Sequence, residues 1–170
     1  MKESYWKSKF NSFEVITNWE RYINSNKTKH KLNEYRLVKI NTKLYLEVKT
    51  QKPDITFLTD LKNFKSLKEY TWRSLKPTRT NTNYIATYYT NNSKITTLYF
   101  HCLITNFKIV DHISRNGLDN REVNLRDGLK SINQLNCKLF KTNTSGYNGI
   151  SFRKKSKIWS FTWFENKKPK

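Results

Sequence analysis

The sequence predicts an α+β fold: antiparallel hairpins and a short helix lead into a strand end closed by a loop, and a further β-hairpin lies near the C-terminus. Three observations predict it. Segments rich in β-branched and aromatic residues recur in pairs around polar turns, and one segment between them switches to a spacing of three. Aromatic residues make up 15% of the 170 positions, enough core material for one domain without crosslinks.

Residues 1–34 form a basic N-terminal segment in which EVITNWERYI predicts a short helix and NSNKTK a polar break. YRLVKI and LYLEV then flank Asn41-Thr42-Lys43 as the arms of a hairpin. In ITFLTDLKNFKSLKEYTW, Leu61, Phe64, Leu67 and Tyr70 recur every three residues after a Thr59-Asp60 helix start. That spacing predicts an amphipathic helix, with Trp72 closing it against the core. NYIATYY and ITTLYFHCLI make a second hairpin across the polar turn NNSK. LKSINQLNCKLF places Leu129, Ile132 and Leu135 on one side of a short helix beginning near Ser131. After the break TNTSGYNG, ISFRKKSKIWSFTWF predicts two strands around a basic turn, and NKKPK a charged, frayed end. The division that follows is 1–34, 35–140 and 141–170.

Charge narrows the function classes. Thirty-three Lys and Arg face 13 Asp and Glu, a net +20, which points to a polyanion as partner. Two cysteines, Cys102 and Cys137, are too few for a zinc knuckle or a disulfide framework and are expected as buried thiols of a reducing compartment. The N-terminus has no apolar signal core, and no run approaches the ~18 apolar residues of a membrane span. The expectation is an intracellular protein, neither secreted nor membrane-inserted.

The stretch VDHISRNGLDNREVNLR, residues 110–126, carries the chemistry. Asparagine is common throughout this chain, so its number there is no signal, but its spacing is. Phosphodiester hydrolysis needs a base to activate water, a cation beside the leaving oxygen, and ligands for that cation. Asp111 and His112 are adjacent, and a strand end is needed for both to serve one site, because neighbours on a strand face opposite ways. Mg2+ (or Mn2+), one per site, prefers oxygen ligands and keeps several waters, so a carboxylate and an amide oxygen suffice. Asp111 supplies the first, and Asn133, in the first turn of the expected helix, can supply the second. His112 then remains as the proton acceptor.

This stretch resembles the HNH nucleases of the ββα-metal fold, particularly the homing-endonuclease type encoded by phages, large DNA viruses and organellar introns. The run is similar to that family's Asp-His, glycine-containing loop, Asn-Arg and Asn-Leu-Arg motif, with SIN at 131–133 in the place of Ser-Gln-Asn. Upstream, TDLKNFKSLKEYTW, NYIAT and LYFHCLI resemble its acidic helix, Tyr-Ala strand and His-Arg strand, and NTSGYNGISFRKKSKIW resembles the opening of an APETALA-type DNA-binding module. The resemblance implies Asp111 and Asn133 as metal ligands and His112 as general base. It implies Asn124 as a hydrogen bond across the loop that holds the site or orients the histidine. Asn120 and Arg121 fall on the Asn-Arg pair, as loop supports, with a phosphate contact as the alternative for Arg121. Two departures stand out: Asp127-Gly128 replaces a β-branched stretch, so the second strand is expected to be short, and Cys102 replaces the arginine after His101. A packing role is expected for His101.

The implied partner is double-stranded DNA, bound by a monomer or homodimer. Arg153, Lys154, Lys155 and Lys157 crowd the C-terminal hairpin, and Arg153, Trp159 and Trp163 are the candidate base contacts, with simple packing as the alternative for both tryptophans. The module would be truncated. The rival readings are an HNH-derived protein that only binds DNA and a restriction-type nuclease using the same site.

Overall fold

In this computed structural model, residues 5–21, 32–50, 55–78, 80–128, 139, 141–161, 164–165 and 168–169 are described. The expected helix from Ser131, with Asn133, Asn136 and Cys137, lies outside them, as does Trp163. The architecture is α+β, dominated by strands.

Strands β1 (Phe13–Val15) and β2 (Glu20–Arg21) stand where EVITNWERYI suggested a helix. The reason is tertiary: Phe13 to Val15 pair antiparallel with Val38 to Ile40, and Glu20-Arg21 pair with Glu34-Tyr35. A strand edge already present offers these residues a hydrogen-bonding partner that a short isolated helix cannot match. A turn of 3-10 helix, Tyr5–Ser8, precedes them and buries Trp6, whose indole N–H donates to Thr56 Oγ1 at 3.1 Å.

The hairpin of β3 (Glu34–Ile40) and β4 (Lys43–Lys49) forms as expected. Ile40 pairs with Lys43, leaving Asn41 and Thr42 as the turn, and Asn41 takes φ 56°, a left-handed conformation that asparagine tolerates well. β5 (Thr56–Asp60) was not legible in the sequence; it pairs antiparallel with β4. The expected helix therefore starts later, through a 3-10 turn at Leu61–Asn63 into α1 (Phe64–Glu69). Leu67 is buried, Leu61 is exposed, and Trp72 is fully buried as expected. Asn33 clamps Trp72 from both sides of its backbone, accepting from its N–H at 2.7 Å and donating to its carbonyl at 2.8 Å.

β6 (Arg73–Leu75), β7 (Tyr84–Asn91) and β8 (Lys94–Tyr99) form a second antiparallel sheet. Asn92 and Ser93, both at positive φ, make its tight turn. The expected second arm ends early: FHCLI is α2 (Phe100–Ile104), not strand. A short run with four apolar residues around His101 fits either element, and here the helix seats Phe100 edge-on against Phe57 at 5.3 Å and Trp72 at 4.8 Å. Cys102, on the same helix, is exposed and free rather than buried.

β9 (Val110–His112) pairs with β11 (Leu125–Asp127), and between them β10 (Asp119–Asn120) joins the first sheet, parallel to β5. The first sheet then runs β1, β3, β4, β5, β10. Its core comprises Val38, Ile40, Tyr45, Leu46, Val48, Phe57 and Leu58, with Trp6, Trp72, Ile85 and Phe100 packed in.

The chain divides into two units, residues 1–126 and 127–170. The second contains the expected hairpin, β12 (Ile150–Arg153) and β13 (Ile158–Phe161), around the Lys154–Lys157 turn. In the charged end, Lys168-Pro169 (β15) pair with Phe164-Glu165 (β14) instead of fraying.

Candidate active site

Asp111 and His112 sit at the end of β9, both buried. The pleat stops immediately after them. Arg115, at φ 59°, turns the chain so that its N–H donates to His112 O at 2.8 Å, and Ile113 N–H donates to Asn124 O at 2.9 Å. Two neighbouring residues that would face opposite ways along a strand are thus placed where the strand ends.

The loop from 113 to 124 is held from inside by its own polar residues. Asn124 spans it, accepting from Ser114 N–H at 2.8 Å and donating from Nδ2 to Asp119 O at 2.7 Å. Asn120, fully buried, donates to Gly117 O and brings its Oδ1 to 3.4 Å from His112 Nε2. Asn116, given no role from the sequence, accepts from Leu118 N–H at 3.2 Å in a local turn. Gly117 is required by close approach: a Cβ there would collide with the Asn83 carbonyl and the Tyr84 ring, and its N–H donates to Thr82 Oγ1 at 3.0 Å. The loop therefore lies flat on the start of β7.

Arg121 is buried and forked onto Asp119, with Nε to Oδ1 at 2.7 Å and Nη2 to Oδ2 at 2.8 Å. Its guanidinium also lies over Phe10 at 4.4 Å and Tyr45 at 5.1 Å. Such a residue ties the loop to the first sheet and the N-terminal segment. Asp119 was missed in the sequence because an aspartate two residues before an arginine carries no pattern of its own.

The ring environment sets the titration of His112. Tyr84 lies 5.7 Å away, tilted, and His101 4.9 Å away, edge-on. Burial holds the His112 imidazole below its ordinary value, against opposing pulls from Asn120 and the Asp119 and Asp111 carboxylates. The shift favours the neutral ring that a proton acceptor requires. Burial, helped by the nearby His112, pushes His101 down to about 3. Its Nδ1 is buried without a partner among the described residues, and its ring stacks on Tyr99 at 5.4 Å. That is a packed, neutral histidine.

Asp111 faces Arg126, the arginine of the Asn-Leu-Arg run, with Nε at 2.9 Å and Nη2 at 2.8 Å from the same oxygen, Oδ2. The sequence displayed this arginine in a quoted motif, yet nothing in spacing alone assigned it to Asp111. Among the described residues, no group of three His, Cys, Asp or Glu side chains is placed to hold a metal. Mg2+ does not require one, since one or two carboxylates plus waters can hold it. Asp111 offers the type of oxygen donor that a hard divalent ion takes, but in this structure its Oδ2 is held by Arg126.

The other expected contacts lie in the second unit. Arg153, Lys154, Lys155 and Lys157 are exposed, and Lys157 adopts φ 55° in the turn. Trp159 is 55% exposed and packs on Phe152 at 5.1 Å. Register places Ile150, Phe152, Trp159 and Phe161 on one face of the hairpin and Ser151, Arg153, Ile158 and Ser160 on the other. Arg153 and Trp159 therefore face opposite sides. No family model, curated protein or solved structure matches the chain. No helix among the described residues is long and apolar enough to cross a membrane.

Proposed function

We propose that this chain is a metal-dependent DNA endonuclease of the HNH type, cutting phosphodiester bonds as a nicking or double-strand-cutting enzyme. One observation carries the reading: Asp111 and His112 lie buried side by side at a strand end whose following loop is spanned by Asn124. A net charge of +20 supports DNA as the substrate.

In this mechanism the neutral His112 takes the proton of the attacking water. Asn120 and the Tyr84 and His101 rings hold its imidazole in place, while Asn124 and Arg121 keep the loop from moving. Asp111, with Asn133, would hold Mg2+ or Mn2+, whose chemistry is to stabilise charge on the phosphate and the leaving oxygen. Arg153, Lys154, Lys155 and Lys157 supply phosphate contacts that do not depend on sequence.

The test is supercoiled-plasmid nicking with Mg2+ by the full chain beside a His112→Ala protein of unchanged fold. Loss of nicking by at least a hundredfold in the variant is expected for a missing general base. Equal absence of nicks from both proteins, with DNA still bound, would leave only the DNA-binding alternative.

A further inference from the structure

The stretch from β9 to β11 holds two arginine–aspartate pairs of opposite construction. Arg121 grips both oxygens of Asp119, and both side chains are nearly buried, at 10% and 6% exposure. Arg126 puts two nitrogens on a single oxygen of Asp111, and its own side chain is 34% exposed against 9% for the aspartate. The first pair is locked on both sides. The second is open on the arginine side only.

We propose that Arg126 is a displaceable counter-ion that neutralises Asp111 in the free protein and turns to a DNA phosphate when a divalent cation takes over the carboxylate. The inference rests on the nuclease reading above. A carboxylate as buried as Asp111 is costly to leave without a cation, so exchange of one cation for another is the low-cost route. Two cations on one carboxylate repel, which drives the more exposed and flexible partner away. A guanidinium fits a phosphate as well as it fits a carboxylate, because its planar fork presents paired N–H donors to either. DNA then offers Arg126 a second anion as it leaves the first. Cation binding and DNA binding become coupled, and the coupling is reciprocal.

Mn2+ binding, followed by electron paramagnetic resonance in a His112→Ala background that leaves a short duplex intact, tests this. The parent should bind Mn2+ weakly alone and more tightly with the duplex. Adding Arg126→Gln should tighten binding without DNA by roughly tenfold, equivalent to about 1.4 kcal/mol, and shrink the gain from the duplex. Equal or weaker Mn2+ binding in the Arg126→Gln protein would overturn the proposal. A second readout needs no mutation at the arginine. The Arg126 Nε–H resonance of the unmutated chain should shift and lose protection as Mg2+ is added, and a resonance that stays fixed while Mg2+ binds counts equally against displacement. If neither protein takes up Mn2+ with or without DNA, the metal-dependent reading falls together with this one. Equal uptake by both removes only the role of Arg126.

Discussion

In the loop between β9 and β11, Asp119, Asn120, Arg121 and Asn124 are all buried, whereas in the β12–β13 hairpin Phe152, Arg153, Lys154, Lys155, Lys157 and Trp159 are all exposed. Both regions are polar and both carry arginines. Each of these four loop side chains has a partner inside the fold, so removing one strands another in a place water does not reach. In the hairpin the cations are solvated, and their ordering depends on what they meet. The loop can thus fix a reacting geometry, and the hairpin can supply affinity.

The sharpest way to break this contrast is at the buried pair. Asp119→Ala leaves the Arg121 guanidinium buried without its carboxylate and should destabilise the protein by about 3–5 kcal/mol in urea unfolding. A loss below about 1 kcal/mol would mean that Arg121 finds water, and that the loop is as open as the hairpin. Asn124→Ala should come next, at about 2–3 kcal/mol, because Ser114 N–H and Asp119 O both lose their partner.

Acid gives a third probe. His101 has a folded pKa near 3 against an ordinary 6.5. The unfolded chain therefore binds a proton that the folded chain refuses, and stability is complete above pH 6.5 and lost as the pH falls toward 3. Between pH 7.5 and 5 the loss from this residue should be about 2 kcal/mol, with a contribution of the same sign from His112. Urea midpoints for the parent and a His101→Phe variant at both pH values check it: the variant should lose less. An equal loss in both proteins would move the acid sensitivity elsewhere.

The smallest effect on folding is expected in the hairpin. Replacing Lys154, Lys155 and Lys157 together by Gln should change stability by less than about 0.5 kcal/mol. The salt dependence of DNA binding should nonetheless flatten by about 0.9 in log–log slope for each phosphate that is no longer neutralised. An unchanged slope would assign DNA affinity to other cations.

Parts of the fold were visible in the sequence, and the reasons differ by element. The β3–β4 and β7–β8 hairpins were legible because their turn residues and their β-branched arms agree locally. The β1–β2 segment was not, since its strands exist only because β3 offers them an edge. FHCLI reads as strand in the sequence because a short, mostly apolar run fits both elements until Phe57 and Trp72 are in place. At the site, Asp111 and His112 are legible as adjacent side chains of usable chemistry, and Asn124 through the family resemblance and its spacing to His112. Arg126 was printed in the same run without a partner.

By itself, the sequence determined the hairpins, the basic surplus and the cationic turn near the C-terminus. These depend on local periodicity, turn preference and side-chain type, which need no distant contact. Only the tertiary structure decided that β10 pairs with β5 across about sixty residues of chain, that Gly117 lies against Tyr84, and that Arg121 belongs to Asp119 and Arg126 to Asp111. Those are pairings between groups brought together by packing, and a buried charge takes whichever partner the fold delivers to it.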